Sequence, residues 1–233
     1  MMKKTMFLLC ALLCGSAAYA QNNTVAGSAA TQHYTALSVS GPIRAQLIRV
    51  AAGEAESVVF DSPESGARVK STCENGQLTL RAPKSVDTVG LRIYYRELDM
   101  LDINGADVRL ANAVTEPMFD LTVSGGVTFE AEFDVRDLKV EVTGKSLLKL
   151  TGRARYFDLT VSTAEVKARG LEVMAATVEA SHNAEVRLHV TERLVANAAL
   201  SMIRYEGTPE IVRGETSLLG GDILPFEPVK PQE

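Results

Sequence analysis

The chain contains no tryptophan, only 6% aromatic residues, and just three histidines and three cysteines among 233 residues. Each shortage removes a class of function. Sugar-stacking subsites, which polysaccharide-cleaving enzymes build from aromatic side chains, have little to be made from. His182 and His189 are seven residues apart with no cysteine near them, and His33 stands alone, so no metal-ligand spacing is met. There is no Gly-x-Ser-x-Gly elbow and no phosphate-cradling Gly-rich loop; the pairs Gly125-Gly126 and Gly220-Gly221 read as turns. No apolar run reaches the roughly 20 residues of a membrane-spanning helix. The net charge of −5 has the wrong sign for nucleic acid, which asks for a basic face. Neither a cofactor nor a catalytic group is expected.

What is present begins with an export signal. Lys3 and Lys4 precede an apolar stretch from Met6 to Leu13, and Ala18-Tyr19-Ala20 supplies a small-residue cleavage site, so residues 1–20 are expected to be removed after Ala20. A lipid anchor at Cys14 fits poorly, because the bulky Leu13 stands where a small residue is wanted. Losing the leader removes two lysines and two cysteines. The mature chain is then more acidic and keeps only Cys73, which excludes an internal disulfide and leaves stability to core packing. Cys73 itself reads as a small half-buried strand residue.

The strongest signal is repetition. Ile103-Asn104-Gly105, Val123-Ser124-Gly125, Val142-Thr143-Gly144, Val161-Ser162-Thr163 and Ala180-Ser181-His182 follow one another at steps of 20, 19, 19 and 19 residues. A second series runs Val108-Arg109-Leu110, Val127-Thr128-Phe129, Leu148-Lys149-Leu150, Val166-Lys167-Ala168, Val186-Arg187-Leu188 and Ile203-Arg204-Tyr205. Within each unit apolar and polar residues alternate, the signature of a strand with one buried face. No 3.6-residue apolar stripe with caps competes. A repeat of about 19 residues buries its apolar face only by stacking on copies of itself, so the expected fold is an all-β parallel β-helix, one repeat per coil. A β-sandwich, which gives no reason for equal spacing, is the alternative.

The expected organisation is a disordered start over 21–33 and one β-helix domain over 34–223. Within it, irregular N-terminal coils (34–99) cap regular ones (100–223), and a Pro-rich tail (224–233) follows. Candidate strands at Leu37–Val39, Gln46–Ile48, Val58–Phe60, Gln77–Leu80 and Leu91–Tyr95 are separated by turn signals such as Gly41-Pro42 and Glu74-Asn75-Gly76.

Four segments, YTALSVSGPIRAQLI from Tyr34, ENGQLTLRAP from Glu74, FDLTVSGG from Phe119 and IRYEGTPEIV from Ile203, resemble in order and spacing the autotransporter adhesin head GIN domain family of secreted bacterial proteins. The resemblance spans about 34–223. It implies a right-handed parallel β-helix, a location in the periplasm, at the outer-membrane surface or outside the cell, and an adhesin-like role. Family corners are of Gly-Ser-Gly type; Ser124-Gly125-Gly126 is close to this, whereas Ser162-Thr163-Ala164 and Ser181-His182-Asn183 depart from it. No autotransporter barrel is expected after Glu233.

One surface pattern suggests binding. In the second series the middle residue is basic at Arg109, Lys149, Lys167, Arg187 and Arg204, with Thr128 the exception. Stacked coils would turn these into a ladder at about 4.8 Å per step, able to hold an anionic glycan or lipid head group. Two positions earlier stand Asp107, Glu165 and Glu185, which would neutralise the row. The acids Asp102, Asp120 and Asp158, with the pairs Glu54/Glu56 and Glu130/Glu132, are the only candidates for glycan cleavage, and no calcium pattern accompanies them. The favoured function is therefore a non-enzymatic adhesin-like module for a glycan or protein at the cell surface. A scaffold that self-associates through its β-helix ends, and a polysaccharide lyase or hydrolase, are the alternatives.

Overall fold

A computed structural model describes residues 28–30, 32–218 and 220–226. The expected leader with its cleavage site after Ala20, Cys14 and the tail beyond Phe226 lie outside them. The chain enters through β1 (Ser28–Ala30) and makes a first coil from β2 (Ala36–Ser40) and β3 (Ile43–Arg49). β4 (Ser57–Phe60), the short helix α1 (Pro63–Arg68) and β5 (Lys70–Glu74) lead to a second coil, β6 (Gln77–Arg81) with β7 (Val89–Tyr95), and a third, β8 (Met100–Asn104) with β9 (Asp107–Leu110). The regular part follows as β10 (Met118–Ser124), β11 (Thr128–Thr143), β12 (Leu147–Ser162), β13 (Glu165–Ser181), β14 (Glu185–Ala199), β15 (Met202–Glu206), β16 (Ile211–Thr216) and β17 (Asp222–Pro225).

From β10 onward every ladder is parallel, each strand beside the next coil's equivalent. The result is a β-solenoid of about seven turns spaced about 19 residues, which excludes a sandwich. β11 to β14 are each 15 to 17 residues long because the strand continues round a bend from one face to the other, with register shifts at Lys149/Thr151, Ala168/Glu172 and Val173/Ala175. Like residues stack along the axis. Phe119, Leu138, Phe157, Ala176 and Leu194 form one buried row, and Val123, Val142, Val161, Ala180 and Ala198 another.

The irregular coils join the same stack, but not in chain order. β2 lies between β6 and β8, and β3 between β7 and β9, so the first coil made sits second in the pile. Antiparallel pairings make this possible: β4 on β7 and β5 on β6 reverse the chain at that end and cover it. Two strands also extend past the expected boundaries. Ser28–Ala30, expected to be disordered, forms β1 against the open side of β4, and Leu224–Pro225, expected in the tail, extend β17 beside β15.

Corners are held by residues with positive φ. Gly41 (φ 90°) is one that no other residue can replace easily, since a Cβ there would lie 2.1 Å from the Ala82 carbonyl oxygen. Thr163, His182 and Asn183, where the glycine pattern lapses, take the same left-handed region (φ 53–63°). The corner shape is kept at a cost on the order of 1 kcal/mol per residue.

Candidate functional site

The parallel register decides where the basic residues fall. Lys149, Lys167, Arg187 and Arg204 occupy consecutive steps of one outward row, and the residue beside Lys149 in the preceding coil is Glu130, not Thr128. Arg109 is outside that row: it pairs beside Gln46 in the five-stranded sheet that ends at β9. Most of these cations are matched locally. Lys149 Nζ is 2.5 Å from Glu130 Oε1, Lys167 Nζ 3.2 Å from Glu165 Oε1, Arg187 Nη2 2.6 Å from Glu185 Oε1, and Arg109 Nε 3.6 Å from Asp107 Oδ1. The hydrogen bonds that Arg187 donates to Glu185 raise the Arg187 pKa further, against an opposing effect of burial. Among the described residues Arg204 alone of the five has no ion pair. Exposed pairs of this kind contribute little to stability, about 0–1 kcal/mol each, but they cancel the field of the row.

The candidate acids do not converge. Asp120 and Asp158 sit on either side of Lys139, whose pKa is raised chiefly by its hydrogen bond to Glu141. Asp102 accepts a hydrogen bond from Ser38 Oγ at 2.9 Å. Glu54 Oε2 accepts the Ala51 N–H in a turn. Glu56 is buried, accepting hydrogen bonds from Arg96 Nη2 and the Arg96 N–H at 3.0 and 3.1 Å and lying 3.0 Å from His33 Nδ1. Burial pushes its carboxyl pKa up, yet the Arg96 and His33 contacts outweigh this and hold it below the usual value of 4.5. It is a structural lock that ties the segment before β2 to the end of β7. Cys73 is half-buried, with its pKa raised by burial and by the Glu56 charge, as suits an inert thiol. His182 contacts Ser162 and Ser181, and His189 lies in a row between Glu172 and Glu206. Among the described residues no group of three His, Cys, Asp or Glu side chains is placed to hold a metal ion.

What the sequence reading missed is a pair of depressions where the irregular coils meet the regular ones. One, of about 810 Å3, opens over β6, β2 and β8. The register there stacks Arg81, Ser40, Asn104 and Ser124 in one row and Thr79, Ser38, Asp102 and Thr122 in the next. Lys84, in the loop after β6, adds a second cation at the rim. Neither Arg81 nor Lys84 has a carboxylate partner among the described residues. The floor stays bare because Gly41, Gly105 and Gly125 carry no side chain; a Cβ on Gly125 would come within 2.7 Å of the Gly105 nitrogen.

A second depression, of about 740 Å3, lies round the corner and shares Gly105 and Gly125 with the first. It exists because β9 ends its sheet: β9 pairs with β3, and the facing half of β11 pairs with β12. The gap is closed at one end by the Gly105 N–H donating to the Ser124 carbonyl and at the other by the bridge between Val114 and Phe133. Sequence could have hinted at both depressions only through the lapse of strict 19-residue spacing before residue 118.

The comparisons agree with this architecture. Residues 33–209 match the family described as "Putative auto-transporter adhesin, head GIN domain". Among solved structures, an adhesin of Bacteroides fragilis described as putative is similar over 87% of this chain and 96% of its own, with a TM-score of 0.76 at 17% identity. A second such adhesin, from Parabacteroides merdae, is similar over 87% and 95% with a TM-score of 0.62 at 14% identity. A protein of Parabacteroides distasonis described as a putative lipid binding protein is similar over 88% and 98%, with a TM-score of 0.61 at 15% identity. No curated protein matches the sequence. At these identities the structures speak for the fold, while the family match covers most of the chain: the protein belongs to the auto-transporter adhesin head GIN domain family.

Proposed function

We propose that the protein is an exported, non-catalytic, adhesin-like module that holds an anionic glycan in the depression over β6, β2 and β8. The observation that carries this reading is the juxtaposition of two unmatched cations, Arg81 and Lys84, with a dense set of short hydroxyl, amide and carboxylate groups: Ser38, Ser40, Thr79, Asp102 and Asn104. A uronic-acid or sulfated sugar presents the complement, one negative group and several hydroxyls on a rigid ring. The cations take the charge through charge-assisted hydrogen bonds and the small side chains read the hydroxyls. Because the strands are locked in a parallel stack, these groups are held in place before the ligand arrives, which reduces the ordering cost of binding.

Nothing in this arrangement turns a ligand over. The single carboxylate on the floor, Asp102, has Ser38 as a partner and no second acid beside it, whereas glycosidic cleavage asks for two carboxylates about 5–10 Å apart across the bond. A second reading places the anion along Lys149, Lys167, Arg187 and Arg204; the observation in its favour is the unmatched Arg204 at the end of that row. The test is a glycan array probed with the 21–233 fragment and its Arg81→Ala/Lys84→Ala variant, scanned before and after long incubation. Retention of acidic glycans by the parent chain and loss in the variant supports the reading. Retention by both, disappearance of the glycan with time, or binding to anionic lipid vesicles in place of glycans overturns it.

A further inference from the structure

The two ends of the solenoid are built differently. At the N-terminal end, β5 closes one sheet with an antiparallel pairing, and β4 and β1 close the other. At the C-terminal end the last coil, β16 and β17, pairs among the described residues only inward, on β14 and β15. Val212, Gly214 and Thr216 continue the buried rows of Leu194, Ala196 and Ala198, yet Val212 is 43% exposed. Ile223 packs beneath Gly214, where a Cβ would lie 2.9 Å from Ile223 Cδ1. A row of core positions thus ends open beside an unprotected strand edge, which soluble proteins ordinarily blunt with lysine, proline or a bulge.

The direction of the exposed main-chain groups is fixed. The Ser217 N–H donates to Ala198, so along β16 the odd-numbered residues address β14 and Val212, Gly214 and Thr216 point their N–H and C=O groups out of the end. We propose that this edge pairs with the same edge of a second copy, antiparallel, about a two-fold axis through Gly214. In that register Gly214 exchanges both hydrogen bonds with its own copy, and Val212 and Thr216 do so with each other across the axis. Arg213 then faces Glu215 of the second copy at a non-hydrogen-bonded position, where opposed side chains come closest. The two charges are on the outward face of the strand and form no ion pair within the chain among the described residues. The strand is thus self-complementary in hydrogen bonding, apolar rows and charge at one register, as an isologous interface requires.

The experiment is sedimentation velocity of the 21–233 chain over a range of concentrations, with Arg213→Glu, Glu215→Arg and the double exchange Arg213→Glu/Glu215→Arg. The parent sediments as a dimer. Each single reversal sets like charges opposite one another twice and weakens the dimer about tenfold or more; the double exchange restores it. Unchanged far-UV circular dichroism separates loss of pairing from loss of folding. A monomer at every concentration, a dimer indifferent to the single reversals, or a failure of the double exchange to rescue overturns the proposal. So does a dimer that emerges only when the chain is cut after Phe226, since the tail would then be the natural cover. Glycan retention is measured separately, so failure here leaves the binding reading untouched.

Discussion

The irregular coils at one end and the regular coils that follow share a core but carry different surfaces. In the regular stack, from β10 to β15, most of the basic row is matched locally: Lys149 by Glu130 of the preceding coil, and Lys167 and Arg187 by Glu165 and Glu185 two residues earlier in their own strands. In the irregular coils the chain folds out of order, spacing lapses, and Arg81 and Lys84 are left over a floor of small polar groups without carboxylate partners among the described residues. Regularity produces an electrostatically quieter rod; its interruption leaves the depression to which the proposed glycan site is assigned.

Removing a packed ring from the rod gives the largest effect. Phe157→Ala, between Leu138 and Ala176, should cost about 3–5 kcal/mol in urea denaturation. In a stack where coils contact only their neighbours, amide-exchange protection should fall first in β11 and β13 and last in β6. The corners separate next. Gly41→Ala forces a Cβ into the Ala82 carbonyl and should cost on the order of 3 kcal/mol, whereas Gly105→Ala, with no atom within 4 Å of the new carbon, costs about 1 kcal/mol for its positive φ alone.

Binding comes third. Arg81→Ala or Lys84→Ala should each weaken an acidic glycan about 10-fold or more, the worth of one charge-assisted hydrogen bond, with Lys167→Glu and Arg187→Glu neutral in the same titration. The smallest effect is a pH dependence confined to the irregular end. Because Glu56 has a folded pKa below its ordinary value, the stability it contributes is complete above about pH 4.5 and is lost as pH falls through the lower folded value. Glu56→Gln should be less stable than the parent at pH 7 and should lose that part of the acid sensitivity; a variant with the parent's full acid slope would contradict the lock.

Much of the rod was legible because period-two alternation and a 19-residue repeat are local properties that survive projection onto a sequence. The neutralised ladder was half legible. Lys167 and Arg187 align as their spacing implied, but the strand offset that sets Glu130 rather than Thr128 beside Lys149 could not be seen, nor the placement of Arg109 beside Gln46. The depressions were hinted at only by the lapse of strict 19-residue spacing before residue 118. The walls of the one over β6, β2 and β8 come from residues about 40 and 60 positions apart, Ser40 with Arg81 and Asn104, brought together only because β2 slots between β6 and β8. Nothing within a window of 19 residues encodes that insertion.

The contrast between quiet rod and binding corner is tested most directly by an amide chemical-shift titration of the 21–233 chain with a galacturonic acid trisaccharide. The account predicts shifts at Ser40, Gly41, Arg81, Asn104 and Gly105 that saturate together and vanish in Arg81→Ala/Lys84→Ala. Shifts running instead through Lys149, Lys167, Arg187 and Arg204 would contradict it and return the ligand to the ladder.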